Sequence, residues 1–188
     1  MLERLEKSMK DCPAVKMNDY YYFIHPITDG LPLVEPELLD EVIDAVIEVA
    51  DLDCDYILTA QSMGFPLATA LSLRTGIPYK YIRKRSYGLE NETSISQITG
   101  YSSSDMYINY VEEGDRVFII DDVLSTGGTL KAIIEALKEM KVEIVDVVLI
   151  FEKLGIREKL EDELDLEIKT LLKLEMEGDK VKVISKGV

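Results

Sequence analysis

The sequence predicts an α/β fold with a mainly parallel central sheet flanked by helices. Three observations carry this. Residues 55–60 (DYILTA) and 116–120 (RVFII) are apolar strands, each followed by a glycine-bearing loop and then a helical pattern. A further strand, 79–83, follows the turn Thr75-Gly76-Ile77-Pro78. Residues 143–151 (EIVDVVLIF) form a nearly continuous apolar run, as expected for a strand buried on both faces. Strands alternating with helices build βαβ units, which place the strands parallel and the helices on both faces.

The chain has 188 residues, enough for one domain over 1–188 with a proper core. It is 47% hydrophobic and 30% charged, the balance of a globular, soluble chain. No apolar run approaches the length of a membrane span. The N-terminus, MLERLEKSMK, is amphipathic and of mixed charge, unlike a secretory signal. Cys12 and Cys54 are far apart in sequence and read as unpaired thiols in a reducing cytoplasm. A net charge of −15 argues against nucleic acid as a partner, because phosphate backbones need a basic field.

In chain order, Leu2, Leu5 and Met9 fall at helical spacing, so residues 1–10 read as a short surface helix. Tyr20 to Ile24 is an aromatic strand leading into a loop, 25–30, that holds the only histidine, His25. With no second His or Cys beside it, His25 reads as a turn or core residue. Pro36 suits the first turn of a helix whose apolar face is Leu39, Val42, Ile43, Val46, Ile47 and Ala50. The strand 55–60 ends in Gln61-Ser62-Met63-Gly64-Phe65, and a helix begins near Pro66. Lys80, Arg83, Lys84 and Arg85 make a basic cluster that stands out in so acidic a chain. Residues 87–105 are polar, rich in Gly, Ser and Thr, and too long for an ordinary connection, which predicts a mobile functional loop before a strand at 106–110. A helix over 129–140, a short helix over 156–162 and a C-terminal hairpin (167–177 with 180–185) at a sheet edge complete the chain.

The chemistry concentrates in residues 116–133, RVFIIDDVLSTGGTLKAI. Two adjacent carboxylates, Asp121 and Asp122, stand at the carboxyl end of a strand, where open α/β sheets bind ligands. Carboxylates there can accept from two ribose hydroxyls or hold a metal's water ligands. Ser125, Thr126, Gly127, Gly128 and Thr129 follow: hydroxyl donors, and glycines that let backbone amides approach an anion at a helix N-terminus. No Gly-Lys-Ser/Thr follows, so this is not a Walker A loop.

The run IIDDVLSTGGT resembles the signature of the type I phosphoribosyltransferases, which bind 5-phosphoribosyl-1-pyrophosphate (PRPP). The resemblance implies that fold, with a flexible hairpin loop and a small base-covering hood from about 1–35 and the C-terminal segment. It implies that Asp121 and Asp122 contact the ribose hydroxyls and that Ser125 to Thr129 hold the 5′-phosphate. Gln61, Ser62, Met63 and Gly64 match the pyrophosphate loop of the adenine and xanthine branch, with Met63 where adenine enzymes carry a basic residue. Arg83, Lys84 and Arg85 match the family's basic stretch before its flexible loop, and Tyr101 a tyrosine late in that loop. Arg and Lys suit phosphate oxygens, so Arg83 and Arg85 are expected to clamp the leaving pyrophosphate.

The whole pattern, including HPITDGLPLVEP, looks most like the archaeal hypoxanthine/guanine phosphoribosyltransferases. These would make IMP or GMP in purine salvage, with Mg²⁺ held through Asp121 and Asp122 by water or the ribose hydroxyls, and as homodimers. Lys153 is expected beside the base by resemblance to xanthine enzymes; its donors suit the O6 of a 6-oxopurine and not the amine of adenine. Tyr22 and Ile24 are expected to cover the base from the hood. Ser125 stands where the human-type branch has its proposed catalytic aspartate, and a serine of ordinary pKa is a poor general base. Two alternatives remain: an adenine phosphoribosyltransferase making AMP, and a non-catalytic PRPP-sensing regulator.

Overall fold

The computed structural model describes residues 2–10, 12–17, 20–99 and 102–187. Six strands form the central sheet: β3 (Tyr56–Ala60), β4 (Tyr79–Ile82), β7 (Arg116–Leu124), β8 (Glu143–Lys153), β9 (Lys169–Glu177) and β10 (Lys180–Lys186), in the order β10-β9-β8-β7-β3-β4. All neighbours pair in parallel except β10, which closes an antiparallel hairpin with β9 at the sheet edge. Numbering the parallel strands as they occur in the chain gives the spatial order 2-1-3-4-5. That order reverses between β3 and β7, and a crevice opens there beyond the strands' carboxyl ends.

The alternation of side chains divides the core in two. Ile57, Phe118, Ile120, Val148 and Ile150 pack on one face with Val42, Val46, Leu67 and Leu71, from α3 (Pro36–Val49) and α4 (Gly64–Thr75). Leu58, Val117, Ile119, Val147 and Leu149 pack on the other with Ile133, Ile134 and Leu160, from α5 (Gly128–Glu139) and α6 (Arg157–Leu164). The apolar face of α3 is turned slightly from the sequence reading: Leu38 and Ala45 are buried, whereas Leu39, Ile47 and Ala50 are only partly covered.

Two local expectations are corrected, and the aromatic strand gains a partner. Residues 87–105 are not an irregular loop but contribute to the hairpin that the family resemblance implied. Most of them belong to a two-stranded ribbon of β5 (Glu92–Thr99) and β6 (Ser102–Asn109), paired in register from Glu92↔Asn109 to Thr99↔Ser102. The polar residues obscured the strand pattern; among the described side chains Ile95, Met106 and Ile108 reach the core. Tyr101 lies outside the described residues. The segment 25–30 is a helical turn, α2 (Pro26–Asp29), and not an open loop. The aromatic strand is half of a hairpin, β1 (Ala14–Met17) with β2 (Tyr20–Phe23). The first helix, α1 (Glu3–Met9), buries Leu5 and Met9 while its polar face stays outside.

Candidate active site

The carboxyl ends of β3 and β7, at the point where strand order reverses, meet in a cavity of about 260 Å³. Its walls are residues 60–63, residues 121–127, and Thr129, Leu130 and Leu149. The topology thus brings Gln61, Ser62 and Met63 together with Asp121, Asp122, Ser125, Thr126, Gly127 and Thr129, although some 60 positions separate the two runs. The Gln61–Ser62 peptide is cis.

The two halves touch at Gly64. A β-carbon there would lie 1.8 Å from Thr59 Oγ1 and 2.9 Å from Asp121 Oδ1. Only glycine lets α4 start this close to the acids. Thr59 was not anticipated as a site residue. It is buried in β3, and its hydroxyl has no protein hydrogen-bond partner among the described residues. A hydroxyl within an otherwise apolar strand, YILTA, was the available signal.

Asp121 and Asp122 continue β7 beyond Ile120. The Asp122 amide donates to Asp121 Oδ1 at 3.0 Å. Burial raises both carboxyls above the ordinary range, and the neighbouring negative charge of Asp121 raises Asp122 further. This pair is poised to accept hydrogen bonds. Beyond it, Gly127 takes φ 78° as the N-cap of α5, and the helix dipole adds partial positive charge at that end. A β-carbon on Gly127 would sit 3.1 Å from Leu160 Cδ2, so α6 backs the loop. Gly128 opens α5 on the side facing α6.

Among the described residues no group of three His, Cys, Asp or Glu side chains could hold a metal ion. Two adjacent carboxylates fit a hard cation that keeps several waters and takes its remaining ligands from a phosphorylated substrate.

The basic stretch lies beside the cavity without lining it. The Lys84 amide donates to Gln61 Oε1 at 3.0 Å, which ties it to the 61–64 loop. The Arg83 side chain is held by Glu92 at 3.2 Å and by Asn109, with its guanidinium 4.5 Å above the Tyr87 ring. The Glu92 carboxylate also accepts from Ser86 and from the amides of Tyr87 and Gly88. The ribbon therefore holds the stretch from behind. Arg85 lies 6.0 Å from the Tyr87 ring.

The base-covering candidates separate. Lys153 ends β8, with its Nζ 5.4 Å from the Tyr22 ring and 5.9 Å from the Phe23 ring. Ile24 instead borders a different, apolar groove of about 700 Å³ with Pro26, Leu31 and Leu33. His25 is fully buried. Its Nδ1 accepts from the Ile27 amide and its Nε2 meets the Ser8 hydroxyl, which itself donates to the Leu5 carbonyl. This geometry places the imidazole proton on Nε2 and gives the residue a capping role.

Comparison with known proteins agrees with this geometry. The family model described as Phosphoribosyl transferase domain matches residues 36–183. The chain is 52% identical over 179 residues to a hypoxanthine/guanine phosphoribosyltransferase of Methanocaldococcus infernus, covering 95% of this chain and 98% of that one. A protein of the same name from Methanohalophilus mahii is 48% identical over 98% of this chain and 96% of its own. Among solved structures, an adenine phosphoribosyltransferase from Thermoanaerobacter pseudethanolicus superposes with a TM-score of 0.75 at 23% identity, over 92% of this chain and 99% of that one. The last likeness speaks to the fold.

Proposed function

The chain belongs to the phosphoribosyltransferase family, and from that premise we propose that it is a purine-salvage enzyme. It transfers the 5-phosphoribosyl group of PRPP to hypoxanthine or guanine, giving IMP or GMP and pyrophosphate. The observation that carries this reading is the pairing of a cavity walled by two acids and a hydroxyl-and-glycine loop, at the strand-order reversal, with a donor-only side chain, Lys153, at the end of a strand in the same sheet. The names of relatives about half identical over nearly the whole chain support the same activity.

In this reading Asp121 and Asp122 accept from the two ribose hydroxyls, and residues 125–129 receive the 5′-phosphate. The 61–64 loop receives the pyrophosphate through backbone amides, since Met63 offers no charge. Arg83, Lys84 and Arg85 stabilise the leaving group. Mg²⁺, delivered with the diphosphate and held through Asp121 and Asp122, would supply further charge neutralisation. The anomeric carbon gains positive character as pyrophosphate leaves, and the nearby carboxylates favour that charge electrostatically. The exclusion of water falls to the β5–β6 ribbon. Lys153 donates to O6 of the base, with Tyr22 covering the ring. The unpaired thiols Cys12 and Cys54 suit a reducing cytoplasm, and we expect a homodimer.

Activity with PRPP and adenine, hypoxanthine or guanine side by side tests the proposal. Turnover is expected with the two oxopurines; faster turnover of adenine would overturn it. Retention on DNA at low salt with no turnover of any base would point to a PRPP-sensing regulator instead.

A further inference from the structure

The end of β8 carries a buried charge that the reaction described above does not use. Glu152 is completely inaccessible to solvent, one residue before Lys153. Its Oε2 accepts from the Thr170 hydroxyl at 2.7 Å and lies 2.8 Å from Arg157 Nε. Its Oε1 lies 3.0 Å from Lys173 Nζ. The three partners come from two different elements: Thr170 and Lys173 from β9, and Arg157 from the first turn of α6. The Thr170 contact is a hydrogen bond, whereas Arg157 and Lys173 approach as ion pairs without hydrogen-bond geometry at Nε and Oε1.

The strict alternation of β8 lapses after Ile150, which packs in the same cluster as Phe151, and the contacts of the last three residues show where Lys153 goes. Phe151 packs edge-on against Phe23 at 5.6 Å and against His25 at 5.1 Å. Lys153, two residues on, faces the same hairpin and meets Tyr22 and Phe23. Glu152 points the other way, into the cluster that ties β8 to β9 and α6. In register, Glu152 lies opposite Lys173 and Lys153 opposite Leu174. The same helix α6 packs Leu160 against Gly127 of the phosphate loop. Anchoring Glu152 therefore sets both the end of the strand and the rotation of Lys153 toward the hairpin.

We propose that Glu152 is a positioning residue for base recognition: its buried contacts with Thr170, Lys173 and Arg157 fix Lys153 against Tyr22 and so set the preference for a 6-oxopurine. This role rests on the reaction assigned above. Lys153 is the group that touches the base, and Glu152 acts through it.

Steady-state kinetics of the full chain with PRPP and hypoxanthine, for wild type, Glu152→Gln, Lys153→Met and the double variant, provide the test. Absence of oxopurine turnover by the wild type overturns the assigned reaction, and the role of Glu152 with it, before any variant is compared. With turnover present, Glu152→Gln is expected to raise KM for hypoxanthine about tenfold while KM for PRPP stays within about twofold. Discrimination against adenine falls in parallel. The double variant is expected to be no worse than Lys153→Met alone, because one residue acts through the other. Lys173 keeps a partner in Glu158 at 2.7 Å, so the variant leaves that cation paired. Equal rises in both KM values, an additive double variant, or an unchanged KM for hypoxanthine would each show a merely structural role and overturn the proposal. Should Glu152→Gln fail to fold, Arg157→Gln, which leaves Thr170 and Lys173 on the carboxylate, is judged by the same criteria.

Discussion

Gly64 and Asp121 are in contact across the crevice: a β-carbon on the glycine would come within 2.9 Å of the aspartate's Oδ1. The start of α4 and the end of β7 therefore define one another's position. The two runs that wall the cavity are registered at this point.

Gly64→Ala is accordingly expected to disable the enzyme. The added methyl collides with Thr59 Oγ1 at 1.8 Å and must displace the 61–64 loop or the acid. A misplacement of about 1 Å costs on the order of 100-fold in turnover. Kinetics with PRPP and hypoxanthine measure this, and near-normal turnover would show that the contact is dispensable.

The acids should make the fold less stable at neutral pH than it could be. Their folded pKa values are raised above the unfolded ones, so the folded state holds more protons above pH 4 and loses stability as pH rises through that window. Asp122→Asn removes the mutual repulsion. It is expected to raise stability at pH 7 by about 1–2 kcal/mol while reducing turnover sharply. Denaturant melts at pH 5 and pH 8, beside an activity assay, check both halves.

His25 has the opposite sign. Burial lowers its pKa to about 4, and the Nδ1 that would take the proton already accepts from the Ile27 amide. A histidine kept neutral contributes stability that is intact above its unfolded pKa, near 6.5, and is lost as pH falls toward 4. The loss should reach roughly 2–3 kcal/mol. The stability difference between wild type and His25→Gln should therefore narrow as the pH is lowered from 7 to 4.5; a difference independent of pH would refute the account.

The two arginines of the basic stretch should separate. Arg83 is locked to Glu92 and Asn109 behind Tyr87, so Arg83→Ala is expected to lower thermal stability and turnover together. Arg85→Ala should leave stability within about 0.5 kcal/mol and impair the reaction alone. If both variants kept full turnover, neither would serve the leaving group.

Lys153→Gln should relax base choice, because an amide offers an acceptor as well as donors. Loss of the matched donor is expected to cost about 1–3 kcal/mol in kcat/KM for hypoxanthine, with adenine gaining relative to it. The ratio of the two kcat/KM values is the measurement.

How far the site could be read from the chain depended on how local each signal was. Asp121 to Thr129 form one continuous run, and its strand, acids, glycines and helix are all short-range features. Gln61 to Gly64 were legible for the same reason. Glu152 and Thr59 were not, since an isolated acid or hydroxyl in an apolar strand acquires meaning only from what packs against it. Read from its residues alone the ribbon looks like a loop, because the apolar alternation that marks a strand is missing; only the family resemblance implied a hairpin there. Ile24 was placed beside the base by position in the chain, whereas the structure turns it toward another groove.

The sequence by itself determined the βαβ rhythm, the family and the run of acids, hydroxyls and glycines that walls the cavity. These depend on periodicity and on backbone freedom at particular residues, which neighbours in the chain specify. Only the tertiary structure decided that β3 and β7 lie side by side, that Gly64 meets Asp121, and that Arg83 is held by the ribbon. Such contacts join positions some 60, or 9 and 26, apart, and the order in which strands assemble is set by burying both faces of the whole sheet at once.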